Sequence, residues 1–70
     1  MVFLNKIEYE YRPGMLLKDL VDDYNKDCPK LAFDGFAILI NGIALTELQA
    51  QERILLNNDN ILIVPLLAGG

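Results

Sequence analysis

The chain has 70 residues, 53% of them apolar, with ten acidic and six basic side chains and a net charge of −4. That is one small domain, with enough apolar residues for a core and too many for disorder. The negative charge is spread along the chain and no Lys/Arg cluster occurs. This argues against nucleic acid and anionic membranes as partners, and favours a partner with a basic docking face.

Histidine is absent, which removes the commonest general base and metal ligand, and no catalytic or metal-binding residue is assigned. Cys28 is the single cysteine, so no internal disulfide can form and nothing suggests an oxidising compartment. It reads as a small near-surface residue before Pro29. The segment Met1 to Lys6 turns polar too soon for a signal peptide. The longest apolar run, Ile61 to Ala68, is too short for a bilayer, which needs about 18–20 residues. The expectation is a single domain over residues 1–70, cytoplasmic and monomeric on its own.

In chain order, Val2-Phe3-Leu4 reads as a short strand and Asn5-Lys6 as a two-residue hairpin turn, because Asn tolerates positive φ. Ile7 to Arg12 alternates, with Ile7, Tyr9 and Tyr11 on a dry face, and Pro13-Gly14 ends that strand. The period then changes. Leu17, Leu20, Val21 and Tyr24 form one stripe of an amphipathic helix. Lys18–Asp22 and Asp22–Lys26 are candidate i, i+4 pairs on its solvated face. No Ser, Thr or Asp stands at the N-cap near Leu16, so the helix start must be held by tertiary packing.

Pro29 blocks continuation of the helix, and Leu31 and Phe33 are expected under the sheet edge. Ala37 to Ile40 reads as a buried strand, Asn41-Gly42 as a hairpin turn and Ile43 to Leu45 as the returning strand. Thr46 is a candidate N-cap for one helical turn, with Glu52-Arg53 exposed. Ile54, Leu55 and Leu56 are expected to re-enter the core, followed by a polar turn over Asn57 to Asn60.

The last stretch, Ile61 to Gly70, is an apolar strand running into Ala68-Gly69-Gly70. The order ββαββ, a helical turn and β predicts an α+β fold. Its mixed four- to five-stranded sheet is covered on one face by one main helix. With the last strand central and parallel to the first, this is the β-grasp arrangement. Ile61 and Ile63 would then face the helix, while Leu62 and Val64 would form an apolar patch on the open face. Residues from about 66 to 70 would be a flexible tail. Gly69 and Gly70 lack Cβ atoms and can pass where a side chain would not.

The strand ending in Asn5, Gly14 before the helix, the Asn41-Gly42 hairpin, the turn with Asp59 and the Ala68-Gly69-Gly70 end together resemble the ubiquitin-like sulfur-carrier proteins. These are the ThiS type of thiamine synthesis and the MoaD type of molybdopterin synthesis. The resemblance covers the whole chain and is closer to ThiS in length. It implies that the Gly70 carboxylate is adenylated by an ATP-dependent activating enzyme. The adenylate is then converted to a thiocarboxylate with sulfur that comes indirectly from a cysteine desulfurase.

The acceptor would be thiazole synthase or the large subunit of molybdopterin synthase. Leu66, Leu67 and Ala68 would line the mouth of the partner's channel, and Leu62 and Val64 would dock. The chain would be a co-substrate, with no bound cofactor and ATP used only by the partner. A ubiquitin-like protein modifier is the alternative from another class. Against the ThiS pattern, Thr46-Glu47 and Ala50 stand where Pro-Arg and Trp are common, and Leu16 where Thr is common. Pro65 is similar to MoaD-type endings and stiffens the strand, at the expected loss of one ladder N–H.

Overall fold

The computed structural model describes residues 1–27 and 31–66. Within them lie β1 (Val2–Leu4), β2 (Ile7–Tyr9), α1 (Leu17–Asp27), β3 (Phe36–Ile40), β4 (Ile43–Leu45), α2 (Glu47–Glu52) and β5 (Asn60–Pro65). The expectations for Cys28 and Pro29 lie outside the described residues. The strands form one sheet in the order β2-β1-β5-β3-β4. β5 runs parallel to β1 and antiparallel to β3, so the last strand is central. This is the β-grasp fold.

Both hairpins turn on two residues with positive φ: Asn5 and Lys6 at 49° and 72°, Asn41 and Gly42 at 53° and 83°. Two successive left-handed residues make a type I′ turn, whose twist matches that of the strands it joins. Leu17, Leu20 and Val21 of α1 are buried with Val2, Leu4, Ile38, Ile40, Ala50, Leu55, Ile61 and Ile63. The helix stripe and the inward strand positions therefore meet in one core. Tyr24, Leu31 and Phe33 pack at its margin. No described helix is long and apolar enough to cross a membrane.

The uncapped start of α1 is held by backbone pairing from a distant segment. The Leu17 N–H donates to the Arg53 carbonyl at 3.0 Å, and the Leu55 N–H to the Met15 carbonyl at 2.9 Å. Leu16 and Ile54 thus form an isolated antiparallel bridge. Thr46 caps α2 in a capping box: its hydroxyl accepts the Gln49 N–H, and the Gln49 side chain accepts the Thr46 N–H.

Several expectations need correction. β2 ends at Tyr9, and Ile7 is exposed, because it lies at the turn end of an edge strand. Of Ile54, Leu55 and Leu56 only Leu55 is buried, since an extended segment points alternate side chains to opposite sides. The i, i+4 pairs of α1 give way to a Lys26–Asp23 contact at 3.2 Å, exposed and of little energetic weight.

Arg53 is half-buried rather than exposed, because it pairs with Asp59 at 3.3 Å. Asp59 itself is 3% exposed. Its Oδ2 also accepts the Leu56 N–H at 2.8 Å, and its Oδ1 accepts a hydrogen bond from Asn41 Nδ2 at 3.0 Å. Burial pushes the Asp59 carboxyl up. The Leu56 N–H, the Asn41 amide and the Arg53 guanidinium together outweigh that and hold it below its ordinary value.

Two predictions test these placements. Leu55→Ala should cost about 2–5 kcal/mol in urea unfolding, and Leu56→Ala less than about 0.5 kcal/mol. A carboxyl with a depressed folded pKa contributes stability that is present above its unfolded pKa and lost as pH falls through the folded one. Asp59→Asn should therefore cost about 1–2 kcal/mol at neutral pH, and that deficit should shrink below about pH 4.

Candidate functional site

Along β5 the side chains alternate between the core and the open face of the sheet. Ile61 and Ile63 are fully buried, while Leu62 is 42% and Val64 37% exposed. Leu66, just past the strand, is 58% exposed. Register defines the surface around them. Leu62 lies beside Leu39, which lies beside Ala44, and Val64 lies beside Ala37. On the other side, Asn60 adjoins Phe3, which adjoins Glu8. The open face is thus an apolar strip from Ala44 to Phe3 with charge only at its border. A shallow hollow lined by Lys6, Leu39, Gly42, Asn60 and Leu62 lies at one end of it.

Of the predicted site residues, Leu62, Val64 and Leu66 are therefore on the surface. Leu67, Ala68, Gly69 and Gly70 lie outside the described residues. Among the described residues no group of three His, Cys, Asp or Glu side chains could hold a metal.

Each side of the outgoing strand is secured differently. On the β3 side the ladder runs to Phe36↔Pro65, and one further bond joins the Leu66 N–H to the Gly35 carbonyl at 2.9 Å. Gly35 has φ +79°, a conformation that favours glycine. On the β1 side the main-chain ladder stops early. The Asn5 N–H reaches the Ile61 carbonyl at 2.9 Å, and the chain then turns away.

There the Asn5 side chain takes over. Its Oδ1 accepts the Ile63 N–H at 2.8 Å, and its Nδ2 donates to the Ile63 carbonyl at 3.0 Å. A carboxamide has the donor and acceptor of a peptide group, so it adds one rung to the parallel ladder.

This geometry also corrects the expectation for Pro65. Backbone N–H groups alternate sides along a strand, and that of Ile63 points to the β1 side. The N–H that Pro65 lacks would point the same way, beyond the end of β1. Proline at that position loses no ladder bond, and it stiffens the strand where only one neighbour remains.

The roles of Asn5 and Gly35 were not assigned from the sequence. An asparagine at the first turn position after a strand, with a left-handed backbone, was the available signal. What it bonds depends on a strand nearly sixty residues away.

No significantly similar curated protein was found. A sequence model of the ThiS family matches residues 2–70, and the chain belongs to that family of small ubiquitin-like sulfur carriers.

Proposed function

We propose that this protein carries sulfur as a thiocarboxylate on Gly70 and donates it in cofactor biosynthesis, with the thiazole of thiamine as its destination. The observation that supports this most is the central position of β5. The strand that leads to Gly69-Gly70 also carries the exposed Leu62 and Val64, so one element both docks and delivers.

The chemistry follows from the poor reactivity of a carboxylate. An oxygen of the Gly70 carboxylate attacks the α-phosphorus of ATP on a partner enzyme, and pyrophosphate leaves. The resulting acyl adenylate is attacked by a persulfide sulfur, and AMP leaves. A thiol then cleaves the S–S bond of the acyl disulfide, is itself oxidised to a disulfide, and frees the thiocarboxylate. Every catalytic group in this sequence belongs to the partners: an activating enzyme, a cysteine desulfurase upstream and a sulfur-acceptor synthase downstream. This chain is the co-substrate, and its workplace is the cytoplasm.

Leu62 and Val64 form the docking face, Leu66, Leu67 and Ala68 line the mouth of the partner's channel, and Gly69 and Gly70 enter it. Pro65 is the residue that favours a second destination, the large subunit of molybdopterin synthase, by the same chemistry.

Incubation with ATP, the activating enzyme of the source organism and a persulfide donor should replace one terminal oxygen by sulfur, read by intact-protein mass spectrometry. Removal of Gly69 and Gly70 should abolish it. Persistence of the unmodified mass with every activating enzyme of that organism would refute the proposal. Recovery of Gly70 in isopeptide linkage to lysines would instead identify a protein modifier. Adding thiazole synthase or molybdopterin synthase separately to the charged carrier then identifies the acceptor.

Val64→Asp places a charge on the proposed docking face without entering the core. It should unfold cooperatively, with stability within about 1 kcal/mol of the parent. It should raise KM for the activating enzyme about tenfold or more, the cost of burying an unpaired charge at an interface.

A further inference from the structure

We infer that Asn5 is a positioning residue for the tail: its carboxamide fixes the outgoing strand at Ile63 and thereby sets the direction in which residues 66–70 leave the sheet. The inference rests on the sulfur-carrier reading for the tail's purpose, and on geometry alone for the clamp.

Past Ile61, β5 has no main-chain partner on the β1 side, because the chain turns away at Asn5, whose φ is 49°. The two bonds from the Asn5 side chain to the Ile63 N–H and carbonyl are the only β1-side hydrogen bonds to β5 past Ile61 among the described residues. Two residues later Pro65 has no N–H to offer on that side, and Leu66 is held only by Gly35. Without the carboxamide, a strand tied along one edge can pivot about its β3 ladder.

The apolar docking face does not depend on the clamp. Leu62 and Val64 are set by their pairing with Leu39 and Ala37. Loss of the clamp should therefore leave docking intact and misdirect the carboxylate.

Asn5→Gly is the informative variant. Glycine accepts positive φ, so the turn survives while both side-chain bonds vanish. Measured on the free protein, amide exchange should accelerate about tenfold at Ile63 and also at Leu66, with far smaller changes in β3 and α1. Acceleration at Ile63 with Leu66 unchanged would overturn the link between clamp and exit. Unchanged exchange at both, or loss of cooperative unfolding, would overturn the inference outright.

With the activating enzyme, kcat should fall about tenfold while KM stays within about twofold. That is the opposite split from Val64→Asp. A rise in KM with kcat unchanged, or no change in either, would overturn the positioning role. If the parent protein itself is not adenylated, the sulfur-carrier proposal fails, and the exchange data on Ile63 and Leu66 still decide the clamp.

Discussion

The Asp59 carboxylate joins more of this molecule than any other described side chain. It sits where the chain enters β5, and its two oxygens hold the Leu56 N–H, the Arg53 guanidinium and the Asn41 amide. Its carbonyl accepts the Phe3 N–H from β1, and its N–H donates to the Leu56 carbonyl. One residue thus ties β1, the β3–β4 turn and the loop after α2 to the start of the central strand. The effect reaches the helix as well, because the Arg53 that pairs with Asp59 gives its carbonyl to the uncapped start of α1. A buried carboxylate needs several donors to offset its desolvation, and here they come from three separate segments. Arg53 Nε is buried without a partner, so the ion pair is not saturated and the main-chain and amide donors carry much of the load.

Asparagine supplies a second recurring device. Asn5 clasps Ile63, Asn25 clasps both backbone groups of Leu31 at 2.6 and 3.0 Å, and Asn41 accepts the Asn60 N–H at 3.0 Å. In each case a side-chain amide bonds main chain across a gap that regular secondary structure leaves. A chain of 70 residues has few turns of helix and short strands, so many of its backbone groups lie at element ends. Amides that imitate a peptide group satisfy such ends without added charge.

Much of the fold was legible because period and turn chemistry agree in this sequence. The 3.6-residue stripe of Leu17, Leu20, Val21 and Tyr24 became α1, and both two-residue turns fell where Asn5 and Asn41 stand. The alternation in β5 could be divided into core and surface because a central strand under a helix has one dry face. Burial in the irregular segment from Arg53 to Asn60 was harder to read. There hydrophobicity alone pointed to Ile54 and Leu56, whereas the isolated bridge to Leu16 turns Leu55 inward. Charge alone pointed to a solvated Asp59, since the Arg53 and Asn41 that bury it are six and eighteen residues away. Of the candidate site, the docking residues were visible as a pattern within one strand. Asn5 was not, because its function lies in a pairing between the two ends of the chain.

That pairing explains why a sulfur carrier gains from this topology. Were the last strand at an edge, the tail would leave from the part of the sheet most free to fray. Here the strand is flanked on both sides as far as Ile63, by β1 and its Asn5 extension and by β3, and on one side as far as Leu66. Restraint therefore diminishes stepwise toward the tail: two neighbours, then one neighbour and a proline, then glycines with no side chains. On the proposed function, the partner enzyme recognises the rigid portion and receives the bare one. A rigid strand fixes where the tail begins, so the entropy lost in threading it into a channel is confined to a few residues. Short length after Leu66 and firm anchorage before it are then two parts of the same requirement.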